Sequence, residues 1–139
     1  CRCGATGCLE QYAGKDAILR RADLPANTSV SRLLARAQAG NHEATTALTE
    51  AAHALGFVAA SCLNLLDLDA VVLGGFYAQV FDALGPMVRD IVTSRVLASR
   101  WVPVGVEAAV SGDFASLSGA ALRVVDRVVA HPAPWLAAS

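Results

Sequence analysis

Between Asn41 and Leu66 the apolar residues Ala44, Ala47, Leu48, Ala51, Leu55, Val58, Ala59, Cys62 and Leu65 recur at the spacing of one helical face. Gly40 ends whatever precedes this run, Asn41 is placed to cap it, and Glu43 in its first turn complements the helix dipole. The second half is apolar nearly all round, which predicts deep burial, with Cys62 as a small core residue. Directly after it Asp67-Leu68-Asp69 forms a turn, Ala70-Val71-Val72-Leu73 is a short β-branched run, and Gly74-Gly75 follows. A buried strand that ends in paired glycines before a helix marks an α/β crossover. Val104 to Val110 has strand character as well, but two strands make too small a sheet to stand alone. The predicted class is α/β, mostly helical, as one domain over residues 1–139.

The flanks follow the same logic. Leu9 to Arg21 is rich in helix formers, with Leu9, Tyr12, Ala13, Ala17 and Leu19 turned inward. Pro25 and Asn27 mark a loop, and Thr28 or Ser29 caps a short helix through Ala39. The helix after Gly75 is predicted to break at Gly85-Pro86, with Pro86 opening a second segment that runs to Ser99. Ser111-Gly112-Asp113 reads as a turn and Ala115 to Ala130 as a final helix. His131-Pro132 stops that helix, and Trp135-Leu136 folds back on the body.

Hydrophobic residues make up 55% of the chain and charged ones 17%, which excludes an intrinsically disordered chain. No run reaches the ~18 consecutive apolar residues of a membrane span, so no membrane partner and a cytoplasmic location are expected. Eleven basic against twelve acidic residues give a net charge of -1 with no basic stripe, so no DNA-reading surface is expected here. Lys15 is the only lysine amid abundant Ala, Val, Leu and Arg, a bias of GC-rich genomes. The first residue is Cys1 rather than Met, with no signal-like segment before it. The chain therefore reads as the C-terminal portion of something longer, its apolar surplus covered by the remainder or by a second copy in a homo-oligomer.

Three of the four cysteines stand within the first eight residues, as Cys1-Arg2-Cys3-Gly4-Ala5-Thr6-Gly7-Cys8. Cys1 and Cys3 are too close for a comfortable disulfide. Gly4 and Gly7 permit the tight turn that three thiolates need to close on one ion. A zinc knuckle with Zn–S bonds of about 2.3 Å fits this pattern, against the plainer alternative of three reduced thiols in a glycine loop. His42, His53 and His131 are remote in sequence and read as surface or packing residues, so the fourth ligand is expected upstream.

The run Cys1-x-Cys3-Gly4-x-x-Gly7-Cys8-x-Glu10 resembles the zinc motif of the ROK family, the repressors, open reading frames and sugar kinases. The resemblance continues through Leu63-Asn64 and Val71-Val72-Leu73-Gly74-Gly75 to Gly119-Ala120-Ala121. It implies the actin-like ATPase fold (ribonuclease H-like), two α/β lobes with a sugar between them. This chain would be the larger part of the second lobe, beginning inside the zinc motif, with the fourth ligand a His before Cys1. It also implies that Glu10 binds sugar hydroxyls, beside the plainer reading of a capping or surface glutamate. Gly74 and Gly75 match the place where family kinases bring backbone close to ATP, although close strand-to-helix packing explains them too.

Phe76 and Tyr77 stand where kinases of the family carry a small residue, and their rings are expected to fill the nucleotide pocket. With the ending from Arg95 to Val104 and from Val128 to Leu136, they point to the effector-binding part of a sugar-responsive repressor, with DNA bound through an N-terminal helix-turn-helix. The alternative is the second lobe of an ATP-dependent sugar kinase such as a glucokinase. Such kinases carry their catalytic Asp in the first lobe, so no residue here is catalytic, and Asp67, Asp69 and Asp113 read as turn formers. A third reading is a zinc-stabilised interaction module without a small ligand.

Overall fold

The Asn41 side chain accepts a hydrogen bond from the Ala44 N–H at 3.0 Å, and from that cap the longest helix runs unbroken from His42 to Leu66. This is a computed structural model, and it describes residues 1, 3–110 and 114–136. Ahead of the long helix (α4) lie α1 (Glu10–Ala13), α2 (Lys15–Arg21) and α3 (Val30–Gln38). Behind it come β1 (Ala70–Leu73), α5 (Phe76–Gln79), α6 (Phe81–Arg95), a 3-10 turn (Leu97–Arg100), β2 (Gly105–Ala108), α7 (Ala115–Ala130) and α8 (Ala133–Leu136).

The core is built on α4. Ala44, Ala47, Leu48, Ala51, Ala52, Leu55, Gly56, Ala60 and Leu63 face inward, and α1, α2, α3 and α6 pack around them. Small residues let α6 approach closely, with Leu84, Val88 and Val92 fully buried against that face. By length and composition α4 would cross a bilayer, but about half of its most apolar stretch is inside this core. β1 and β2 pair in parallel, Ala70 opposite Gly105 and Leu73 opposite Ala108, with α5 and α6 as the crossover. Arg89 of α6 donates to the Val106 carbonyl at 3.0 Å, and Val106 is buried beneath it.

Several expectations are corrected. The second half of α4 is not deeply buried: Phe57, Val58, Cys62, Leu65 and Leu66 are exposed, because the helices that cover α4 reach only one side of it. β1 is likewise buried only at Leu73, and Val72 is exposed on the uncovered face of the sheet. Leu9 to Arg21 is two short helices divided at Gly14, with Tyr12 exposed. The predicted break at Gly85-Pro86 does not occur, and the chain instead breaks at Val80, which turns into the core. Gly85 lacks the Cβ that would clash with the proline ring, and the carbonyl four residues before Pro86 lies in the first turn, where it can tilt away. α6 ends at Arg95 rather than Ser99. Trp135 remains exposed rather than packed on the body. The turn predicted at Ser111-Gly112-Asp113 lies outside the described residues.

Candidate functional site

The turns at Gly4 and Gly7 let three sulfurs converge. Gly4 and Gly7 both sit at φ 79°, and the Gly4 N–H donates to the Cys1 carbonyl at 3.1 Å. Cys1 and Cys3 Sγ are 2.7 Å apart, Cys1 and Cys8 3.3 Å, and Cys3 and Cys8 3.4 Å. All four cysteines are free thiols. Sulfurs around a tetrahedral zinc stand about 3.8 Å apart, so a small outward shift of this triangle would admit the ion. The backbone at Ala5, and then the Cys8 thiol, hold the Cys3 thiol below its usual pKa, which favours the thiolate that binds metal. Three soft donors fit zinc, and among the described residues no histidine or carboxylate joins them.

Glu10 is placed two residues past Cys8, as the first residue of α1. The Gln11 and Tyr12 N–H groups donate to the Cys8 and Leu9 carbonyls at 2.9 Å, so α1 grows directly out of the cysteine loop. The Glu10 carboxylate lies over Gly14, where a Cβ would collide with both its Oε1 and the Glu10 carbonyl. Gly14 has φ -61° and ψ 145°, which any residue adopts, so this contact and not backbone freedom requires glycine. Glu10 shares an open cleft of about 350 Å³ with Cys1, Cys3, Gln11, Asp16 and Ala17. The site thus sets an exposed carboxylate, able to accept hydrogen bonds from hydroxyl groups, against a thiol cluster.

α1 has only four residues and cannot hold itself in water. Two side chains tether its end, where helix carbonyls lack intrahelical partners. Arg21 donates to the Tyr12 carbonyl at 2.9 Å, lies 5.4 Å from the Tyr12 ring centroid and pairs with Glu50 of α4 at 3.0 Å. The Tyr77 hydroxyl donates to the Ala13 carbonyl at 2.8 Å. Burial first, and the Glu10 charge second, raise the Tyr77 pKa and keep it a donor.

Tyr77 arrives from the glycine turn after β1. Gly75 sits at φ 57° and ψ -128°, with open space where a Cβ would be, so backbone conformation fixes this glycine and packing does not. At Gly74 a Cβ would only touch Ala109 at 3.7 Å. Phe76 and Tyr77 meet edge to face at 5.6 Å and lean into the core, while Gly74 and Gly75 stay exposed. Both rings are thus half-buried against the core.

Sequence reasoning missed the tethers and a second, larger cleft of about 770 Å³ between the cysteine loop and α4. Gly7, Tyr12, Arg21, Glu50, His53 and Phe57 line it. Residues so far apart in sequence left no local signal. His53 and Phe57 at helical spacing were the one available hint.

The sequence profile of the ROK family matches residues 1–127. The chain is 28% identical over 133 residues to the DNA-binding transcriptional repressor Mlc of Escherichia coli, spanning 88% of this chain and 33% of Mlc. It is 33% identical over 122 residues to kanosamine kinase of Amycolatopsis mediterranei, spanning 86% of this chain and 40% of the kinase. A putative xylose repressor of Caldicellulosiruptor is 26% identical over 147 residues, covering 95% of this chain and 37% of its own. Among solved structures, a ROK family glucokinase from Streptomyces griseus, in complex with glucose and AMPPNP, superposes with TM-score 0.67 at 26% identity, covering 86% of this chain and 45% of the kinase. A ROK family transcriptional regulator homologous to Mlc superposes with TM-score 0.65 at 23% identity over 78% of this chain and 30% of its own, a likeness of fold. The chain thus spans about two-fifths or less of the curated relatives described here.

Proposed function

Because the chain belongs to the ROK family, we propose that it is the sugar-binding part of a sugar-responsive transcriptional repressor, with Glu10 as a sugar ligand. The observation that carries this reading is the exposed Glu10 carboxylate, which lies over Gly14 and lines a cleft with Cys1 and Cys3. A carboxylate open to such a cleft can accept charge-assisted hydrogen bonds from sugar hydroxyls. Zinc bound by Cys1, Cys3 and Cys8 would stiffen the segment from which α1 grows, so that metal binding becomes local folding free energy. In this reading the chain is the second lobe of an actin-like fold, and sugar binding shifts the balance between lobe arrangements and hence DNA affinity. DNA contact belongs to a part of the protein outside these residues, which carry a net charge of -1. The protein acts as a cytoplasmic homo-oligomer.

A second reading, an ATP-dependent sugar kinase, is favoured by one feature. The Gly74-Gly75 backbone is exposed while Phe76 and Tyr77 are half-buried against the core, which leaves the glycine backbone accessible to a nucleotide.

The complete protein carrying this chain decides between the two. The repressor reading expects operator DNA binding that D-glucose, D-xylose or kanosamine releases, with no ADP formed from ATP and those sugars. ADP release at turnover rates would replace it with the kinase reading. Glu10→Gln should weaken sugar binding by about tenfold or more, the scale of a lost charge-assisted hydrogen bond. Wild-type affinity in that variant would remove Glu10 from the site.

A further inference from the structure

A side-chain link joins the two ends of this site. α1 carries Glu10 at its start and Ala13 at its end, and the Ala13 carbonyl accepts the Tyr77 hydroxyl at 2.8 Å. Tyr77 is two residues past Gly75, whose left-handed φ of 57° lets the chain turn from β1 toward α1. Its ring is half-buried against the core and braced edge-on by Phe76 at 5.6 Å. The hydroxyl is therefore placed by the packing of its ring as well as by its bond to Ala13. Among the described residues, Arg21 is the other side chain that bonds to this end of the helix, and it grips the Tyr12 carbonyl instead.

We propose that Tyr77 is a positioning residue for Glu10: by anchoring the last carbonyl of α1 to the glycine turn after β1, it sets where the carboxylate stands and transmits sugar occupancy to that turn. The proposal rests on the reading of Glu10 as a sugar ligand. A four-residue helix moves as one body, so a restraint on its final carbonyl is a restraint on its first side chain. The same link runs in reverse, because an energetic coupling between two places is reciprocal. Whatever displaces the glycine turn should alter sugar affinity, and sugar should order the turn.

The test uses the complete protein and the tightest binder among D-glucose, D-xylose and kanosamine. Tyr77→Phe keeps the ring and removes only the hydroxyl. Amide exchange across residues 10–14 should speed up by about fivefold, and sugar affinity should fall by a similar factor. Exchange in α4 should remain as in the wild type. A double-mutant cycle separates positioning from general support, since a residue acting through Glu10 has little left to lose once Glu10 is Gln. Tyr77→Phe in the Glu10→Gln background should then cost almost no further affinity. An equal loss in both backgrounds, or unchanged exchange across residues 10–14, overturns the proposal. If Glu10→Gln binds sugar like the wild type, or no sugar of the three binds the wild type, it is the sugar role of Glu10 that fails.

Discussion

At the scale of single residues, Gly14 shows how a site can depend on an atom that is missing. Its backbone angles suit alanine, and Gly→Ala at such a position commonly stabilises a chain by about 0.4–1 kcal/mol through the unfolded state. Here the added methyl would meet the Glu10 carbonyl and carboxylate, so α1 must shift and the carboxylate must swing away. Gly14→Ala is therefore expected to lower sugar affinity in the complete protein by about tenfold while costing no more than about 1–3 kcal/mol of stability, the range for overpacking. Calorimetric titration beside thermal melting checks both, and undiminished affinity would mean that Glu10 does not need its present rotamer. Very little of this was legible in the sequence. The Cys-Gly motif marked the thiols and Glu10 because their spacing is local. Gly14 lies unmarked within the run of helix formers from Leu9 to Arg21, and the sequence alone sets Tyr77 on the nucleotide side, because its hydrogen bond to Ala13 spans 64 positions.

At the scale of elements, the contact between α4 and α6 decides whether the site has a frame. Gly56 of α4 faces Ile91 of α6 so closely that a Cβ there would lie 2.8 Å from the Ile91 Cβ and Cγ2. Both atoms belong to a β-branched side chain with few rotamers to retreat into. Gly56→Val should therefore destabilise the protein by about 1–3 kcal/mol or more, from overpacking, and lower its melting temperature. Gly56→Val paired with Ile91→Ala should recover part of the loss, and no recovery would mean that the strain arises elsewhere. The long helix was legible because its cap and apolar spacing are local signals. Which of its faces is covered was not, because Val58, Cys62 and Leu65 are as apolar as the residues that α6 does bury. The helix break shows the same limit: Gly85-Pro86 is a strong local stop signal, but burial of Val80 moved the break upstream.

At the scale of the whole molecule, the two-stranded sheet and α4 leave apolar surface without cover. Leu65 is 82% exposed, Leu97 77% and Trp101 80%, and Val72 lies on the bare face of β1. Asn64 ties the helix beside Leu65 to the backbone of Leu97: its amide donates to the Arg95 carbonyl at 3.0 Å, and its carbonyl accepts the Leu97 N–H at 2.9 Å. Exposed leucines in a mobile loop can fold away from water, but this clamp restrains the backbone on which both stand. A net charge of -1 provides little repulsion between copies. The composition showed that the apolar surplus existed, but its location required the fold, since only the crossover brings residues 64 and 97 together. Expressed as these 139 residues, the chain is therefore expected to self-associate with rising concentration. Leu65→Lys with Leu97→Lys should suppress that association and leave the helical circular dichroism signal unchanged, because neither side chain contributes to the core. Sedimentation velocity over a concentration series checks this. If the wild type stays monomeric throughout, the patch is not sticky enough to drive association. If both proteins associate equally, the contact lies elsewhere, with the exposed face of α7 the next surface to test.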